Sequence, residues 1–405
     1  QRIDDRVAEL FVPVILIISL LTFFIWVFFG GIDVVSHGLF AALSVLVVAC
    51  PCAVGLATPV ALAAGLNKAA RNHILIRDTS ALEQMRNVDV VVFDKTGTLT
   101  EGHPTVIGWL WAQGQEEHYK DVLLAAESTS DHPLAEAIVT ALEGEEQVIP
   151  AHLDGFENIT GKGVRVAYQG AEYWVGSHKL LKDYQANLSD ILADMLTQYE
   201  SDGNSIVYFG RENDLLAVIA IKDQLRVTSM EAIRELRTQD IEICMLTGDG
   251  ERTASSVAGS LGIMRFVADA MPDDKEDFIH KLQLQGKTVA MVGDGVNDAR
   301  ALSCADVSIA MGKGTDTLMD TAMITLRTSD LLLLPKVFRL SRQTVSLMYR
   351  NLFWAFIYNT VGIFVAAGVL YPVYDILLSP ALAGAAMALS CVSVALSSLR
   401  LSSRF

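Results

Sequence analysis

VDVVVFDKTGTLT, residues 88–100, runs from an unbroken apolar stretch into an acidic turn that contains glycine. A short Val-rich run without polar alternation reads as a strand buried on both faces, as in a parallel α/β sheet. Two more stretches repeat the form, IEICMLTGDG (241–250) and KTVAMVGDGVNDA (287–299). The three predict strands ending near Phe93, Leu246 and Val292, with helical patterns between them. Ligands of such sheets bind beyond the carboxyl ends of the strands. Three acidic turns are therefore expected to converge on one pocket.

The residue types in those turns suit phosphoryl transfer. Asp94 is ionised at neutral pH and can attack phosphorus without a general base. Lys95, the backbone of the turn at Thr96, and a nearby cation would offset the repulsion between two anions. Asp294 could share a magnesium ion with Asp94, since Mg²⁺ takes few carboxylates plus phosphate oxygens and waters. Thr247 and Lys275, from MPDDK, could bind the transferred phosphoryl oxygens. Any one GDG is usually an ordinary turn; DKTGT, TGD and GDGVND in this order on three strands are not.

As a set, DKTGTLT, TGDG, MPDDK and GDGVNDA resemble the phosphorylation domain of P-type ATPases, a haloacid-dehalogenase-like fold. The resemblance implies an aspartyl-phosphate intermediate on Asp94. It implies Mg²⁺ held by Asp94, the Thr96 carbonyl and Asp294, with Asp298 in support. Thr247, Gly248, Asp249 and Lys275 would surround the phosphoryl group. Soluble phosphatases of the superfamily usually carry an Asp two residues after the nucleophile; here that position is Thr96, so the phosphoenzyme is expected to be long-lived.

Residues 105–220 interrupt the α/β pattern and are too long for a loop. They hold ESTSDHPLAEAIV and GFENITGKGVRVAYQG. SDHPLAEAI resembles the His-Pro signature of the nucleotide-binding domain in the heavy-metal branch of these pumps. It implies ATP held at His132 with Glu127 close by, while Gly161 and Gly163 let the backbone approach the nucleotide.

The chain of 405 residues is 51% hydrophobic, and the excess lies at its ends. Residues 10–29, 38–66, 352–374 and 376–399 carry no charge apart from Asp375 between the last two, and each is long enough to span a bilayer. Arg2, Arg6, Lys68, Arg71, Arg77, Arg339, Arg342, Arg350, Arg400 and Arg404 lie on one side of these four expected spans, which places the middle and both ends in the cytosol. The net charge of −16 argues against nucleic acid as a partner. Five cysteines in membrane or cytosolic segments predict no disulfide framework, and Cys244 and Cys304 read as small core residues.

VVACPCAVGLATP (47–59) sits inside the second span. Pro51 lacks an N–H and its ring clashes with the preceding turn, so the helix is expected to break there. On an ideal helix Cys50 and Cys52 would face about 200° apart; unwinding removes that obstacle. CPC…TP resembles the intramembrane motif of the heavy-metal pumps. Thiolates favour soft ions, above all Cu(I). The last two spans offer Asn351, Tyr358, Asn359, Met387 and Ser390, and no Lys, Asp or Glu within the bilayer. N-x₆-YN and M-x-x-S resemble the copper(I) exporters, which implies Tyr358, Asn359, Met387 and Ser390 as cargo ligands beside the cysteines. A proline expected after Asn359 is replaced by TVGIF, and Cys391 stands where a serine is expected.

No TGE motif occurs, so the resemblance covers only the later half of such a pump. An N-terminal half with its actuator domain would be the missing partner, and a cytosolic copper chaperone the donor. The expected organisation is two membrane helices with a connector (1–76), a phosphorylation domain in two parts (77–104 and 221–338), an inserted α+β nucleotide-binding domain (105–220), and two further membrane helices (339–405). The reading is ATP-driven export of Cu(I) or Ag(I) across a bacterial inner membrane. The alternatives are a Zn(II)/Cd(II)/Pb(II) exporter, a membrane-anchored phosphatase of the same superfamily, and a metal-sensing binding protein without turnover.

Overall fold

The computed structural model describes residues 3–31, 34–50, 52–112, 116–130, 132–145, 148–186, 190–294, 298–312, 321–328 and 330–403. Two units divide the chain: Gln1–Asn72 with Val337–Phe405, and His73–Lys336.

The strands described in the second unit are, in chain order, β1 (Ile74–Ile76), β2 (Val90–Asp94), β3 (Thr105–Trp111), β4 (Gly155–Ile159), β5 (Gly163–Tyr168), β6 (Ala171–Gly176), β7 (Ser205–Arg211), β8 (Asp214–Lys222), β9 (Glu242–Leu246), β10 (Arg265–Val267), β11 (Val289–Gly293), β12 (Val307–Met311) and β13 (Ile324–Leu326). One sheet has the order β1-β13-β12-β11-β2-β9-β10. It is parallel except where β1 runs against β13. β2 and β11 are buried along their whole length, which is why they read as continuous apolar runs. Ile279 and Leu282 of the helix Pro272–Leu284, and Ala301 and Leu302 of the helix Ala299–Cys304, cover Val90, Val92, Leu246, Val289 and Met291. The register pairs Phe93 with Met245 on one side and Val292 on the other. Three neighbouring strands therefore finish level, at Asp94, Leu246 and Gly293.

The second sheet is antiparallel, in the order β3-β8-β7-β6-β5-β4. Its residues alternate between two cores. Val175, Val207 and Phe209 face the helices Glu116–Glu127 and Pro133–Glu143. Trp174 and Tyr208 face the opposite side, with Leu180, Leu181 and Leu196. This period of two buries both faces of an antiparallel sheet.

In the first unit the helix Val35–Val48 stops at Ala49, and a new helix starts at Cys52. The amide of Cys50 bonds the Val47 carbonyl at 3.3 Å, a tightened last turn in place of another α-helical bond. Pro51, the expected cause of the break, lies outside the described residues. Val35–Arg71 and Pro380–Arg400 are long and apolar enough to cross a membrane, and Pro13–Phe29 is a shorter apolar stretch. The helix Leu333–Ala366 ends eight residues before the expected limit, in a turn and the short helix Tyr371–Tyr374.

Helices in this unit approach closely at small residues. A Cβ on Gly362 would lie 2.4 Å from Val48 Cγ1, and one on Gly65 would lie 2.6 Å from Thr344 Oγ1. Hydroxyls and an amide tie the helices together. Ser44 Oγ donates to the Leu378 carbonyl at 2.7 Å, and Asn351 Nδ2 donates to Ser398 Oγ at 3.0 Å. Asn351 is thus spent on packing.

Candidate active site

Asp94 ends β2 and is 6% exposed. Its Oδ1 takes a bond from Lys275 Nζ at 2.5 Å, and its Oδ2 accepts from the Thr96 amide at 3.0 Å. Lys275 also reaches Asp298 Oδ1 at 2.7 Å. Burial would push the Lys275 ammonium down, but the charges of Asp94 and Asp298 outweigh it and hold its pKa above the usual value. Asp294 follows β11 directly. Burial and then the charge of Asp94 raise the carboxyls of Asp294 and Asp298 to about 7 each. The carboxylates of Asp94, Asp294 and Asp298 offer oxygens that lie within 4.8 Å of one another. Two acids lifted by burial and by the charge of a third are a site that a divalent cation would relieve, so these residues fit Mg²⁺.

The loop after Asp94 can only pass with glycine at position 97. Its φ is +68°, and a Cβ there would fall 1.4 Å from Asp294 Oδ2. That contact brings Asp294 onto the loop that follows Asp94.

Buried Lys95 and half-buried Asp249 form an ion pair, bridged by Ser205. Ser205 Oγ lies 3.1 Å from Lys95 Nζ and donates to Asp249 Oδ1 at 2.8 Å. Thr247 Oγ1 adds a bond to Asp249 Oδ2 at 3.0 Å. Burial alone would raise Asp249, but the Lys95 charge and these bonds hold it below the normal carboxylate range. A Cβ on Gly248 would meet the Ala270 carbonyl at 3.8 Å, an ordinary contact. Asp94, Lys95, Thr96, Thr247, Asp249, Lys275, Asp294 and Asp298 thus gather at one end of the sheet.

Three further residues hold this site and carry no sequence signal. Arg226, 8% exposed, donates to the Gly97 carbonyl at 2.5 Å and the Thr98 carbonyl at 3.0 Å. Asp223 accepts from Thr100 Oγ1 at 2.5 Å and from the Gly102 amide at 3.1 Å. Together they staple residues 97–102. Ser205, the first residue of β7, couples the inserted sheet to Lys95 and Asp249. Replacing it by Ala should cost about 1 kcal/mol of stability and slow labelling from ATP a few-fold. Thermal melting and the initial labelling rate check this; two unchanged values would deny the bridge a role.

The nucleotide candidates divide. Glu127 is buried, and desolvation raises its carboxyl to about 7. His132 is exposed and caps the helix Pro133–Glu143, its Nδ1 accepting the Leu134 amide at 3.2 Å. Gly161, with φ +67°, would carry a Cβ 2.4 Å from Met271 Cε. A Cβ on Gly163 would meet the Val175 carbonyl at 2.1 Å. The pairing of β5 with β6 therefore already demands glycine at 163, a reason the sequence reading did not contain.

In the first unit the sulfurs of Cys50 and Cys52 are in contact as a disulfide pair, their Cα atoms 5.6 Å apart. No disulfide was expected; the helix break turns both thiols to one point. Two packing layers bracket the break. Val48 packs with Ala366 and Ala383 on one side of it, and Ala53, Val54 and Ala57 pack with Ala355 and Val394 on the other. Asn359 stands one turn from Ala355, while Met387 and Ser390 stand between Ala383 and Val394, so all three share the level of the break. Asn359 and Ser390 are buried, and Asn359 Nδ2 and Ser390 Oγ have no hydrogen-bond partner among the described residues. Cys391 packs against the lower layer. Tyr358 is not brought in: it is 46% exposed and lies beside Trp354.

Residues 88–306 match the model of the haloacid dehalogenase-like hydrolases. The chain belongs to that family. It is 43% identical over 401 residues to a copper-exporting P-type ATPase of Legionella pneumophila, covering 99% of this chain and 54% of that one. A silver exporting P-type ATPase of Salmonella typhimurium is 44% identical over 406 residues, 100% of this chain and 49% of its own. A crystal structure of a zinc-transporting PIB-type ATPase in its E2.Pi state superposes with a TM-score of 0.71 at 32% identity, covering 99% of this chain and 64% of that chain. The chain spans about half the length of the curated relatives it matches.

Proposed function

We propose that this chain is the phosphorylating and cargo-binding part of an ATP-driven exporter of Cu(I), with Ag(I) as a second substrate. The observation that carries the reading is the pairing of Asp94 with Lys275 beside Asp294 and Asp298, in a chain that also turns two thiols to one point at a helix break. An Asp94 carboxylate oxygen attacks the γ-phosphorus of ATP, the bond to the ADP oxygen breaks, and the phosphoryl group stays on Asp94. Lys275 and the Thr96 amide, already on the two Asp94 oxygens, would neutralise and orient the group. Mg²⁺, held by Asp94, Asp294 and the Thr96 carbonyl, would supply charge compensation to the phosphates. Asp249 keeps Lys95 in place beside Thr247. Water later cleaves the acyl phosphate and returns aspartate and phosphate. ATP would bind the inserted domain at Glu127 and His132, beside Gly161 and Gly163.

Cys50 and Cys52, reduced to thiolates, would bind the soft cation with Asn359, Met387 and Ser390 close by. The likeness to copper and silver exporters and the uncharged stretches 352–374 and 376–399 support a soft monovalent cargo. The likeness to a zinc transporter keeps Zn²⁺ as the rival. Four membrane spans, an inner-membrane location and delivery by a cytosolic chaperone complete the proposal. Acid-stable labelling of the natural full-length protein from labelled ATP tests it. Cu(I) and Ag(I), and not Zn²⁺, should drive labelling, with at least a tenfold loss in Cys50→Ala/Cys52→Ala. Labelling driven by Zn²⁺ would replace the cargo; labelling indifferent to metal would remove the cysteines from the cycle.

A further inference from the structure

Glu276 and His280 lie one turn apart on the helix Pro272–Leu284, and Cys304 ends the helix Ala299–Cys304 packed beside it. Cys304 was expected in the core; it is half-buried, its Sγ 3.5 Å from Glu276 Oε1. His280 Nε2 lies 3.8 Å from the same carboxylate, and ligand atoms of all three residues lie within 4.8 Å of one another.

The hydrogen bonds around Gln283 select one imidazole form. Gln283 Nε2 donates to the Cys304 carbonyl at 2.9 Å and to Asp306 Oδ2 at 3.3 Å. Its Oε1 is therefore an acceptor, and it faces His280 Nδ1 at 3.2 Å. Nδ1 must carry the proton, so in the neutral ring Nε2 presents a lone pair toward a carboxylate and a sulfur. Three electron-pair donors facing one point, with the imidazole held from behind, is the arrangement of a metal site and its supporting shell. Ligand atoms of a tetrahedral zinc, with bonds of about 2.0–2.3 Å, stand about 3.3–3.6 Å apart. The Cys304–Glu276 separation already fits, and His280 Nε2 needs to close on Glu276 by only a few tenths of an ångström.

We propose that Glu276, His280 and Cys304 bind one late first-row divalent cation, of the class of Zn²⁺, on the phosphorylation domain. Carboxylate, imidazole and thiolate together suit a borderline ion and not Mg²⁺. Such a cation keeps a coordinated thiol ionised. The position gives the site a consequence. Glu276 directly follows Lys275, and Asp298 starts the helix that Cys304 ends. An occupied site clamps together the two helices that hold Lys275 against Asp298. The inference stands apart from the transport reading, because its ligands belong to neither the cargo nor the phosphoryl site.

The test uses the full chain in detergent, reduced, with Cys50→Ser/Cys52→Ser to silence the membrane thiols and excess Mg²⁺ to fill the aspartate site. Co²⁺ titration should produce a sulfur-to-cobalt charge-transfer band that saturates at one equivalent and is displaced by Zn²⁺. Cys304→Ser should abolish the band. His280→Ala should weaken Co²⁺ binding at least tenfold; His280 is half exposed, so this variant keeps the fold. Zn²⁺ should raise the thermal midpoint of the intact triad and leave that of His280→Ala unmoved. No band, a band that survives Cys304→Ser, or an affinity indifferent to His280 would overturn the proposal. In that case the triad is a surface Glu–His pair with a thiol resting on it.

Discussion

Asp94→Asn in the natural full-length protein is expected to abolish acid-stable labelling from ATP, a loss on the order of 10⁴-fold or more, as for removal of a nucleophile that acts as part of a unit. The amide keeps the shape of the carboxyl group but has no anionic oxygen to attack phosphorus. The same change should not weaken the fold. Asp294 and Asp298 are both lifted to about 7 partly by the charge of Asp94. Neutralising Asp94 removes that repulsion, while Lys275 keeps Asp298 as its partner. Without Mg²⁺, the thermal midpoint of Asp94→Asn should therefore equal or exceed the parental value. A midpoint several degrees lower would mean that Asp94 serves the structure and not only the chemistry.

Arg226→Met is expected to do the opposite: lower stability and lose labelling through position alone. Arg226 touches neither the reacting oxygens of Asp94 nor the three-carboxylate cluster by hydrogen bond; it donates to the carbonyls of Gly97 and Thr98. Methionine fills much of its volume and leaves those buried carbonyls unpaired. Each unpaired group costs about 1–3 kcal/mol, offset in part by no longer burying a guanidinium. The expected loss is about 3 kcal/mol in denaturant unfolding of the chain, with labelling down at least tenfold. Arg226→Lys should rescue little, because one ammonium cannot span two carbonyls as a planar fork does. Full labelling in Arg226→Met would show that residues 97–102 hold their course without the staple.

Local rules made the frame of the candidate site legible. β2, β9 and β11 announce themselves as apolar runs because strands inside a parallel sheet are buried on both faces. Asp94, Thr247 and Asp294 follow because the acidic turns come at the carboxyl ends, and the order of motifs puts them on neighbouring strands. The break before Cys52 was legible for the same kind of reason, since a proline acts on the turn directly before it.

Residues that act across the sequence were not legible. Arg226 lies 129 positions from Gly97, and Ser205 lies 110 from Lys95. A lone arginine or serine carries no signal until sheet register and packing choose its partner. Gly163 was singled out for a nucleotide, yet the carbonyl of Val175 across the β5–β6 pair already forbids a side chain there. Tyr358 shares a motif with Asn359, but adjacent residues on a helix point about 100° apart, and packing sends Asn359 inward and Tyr358 outward. Cys304 looked like a core residue, whereas the juxtaposition of two helices sets it against Glu276 and His280. By itself, then, the sequence determined the strand ends, the acidic turn that carries Asp94 and the helix break, because backbone geometry and residue chemistry act over a few positions. Only the tertiary structure decided which distant side chains hold the phosphorylation loop and which helix faces meet, because those depend on register and packing between elements far apart in the chain.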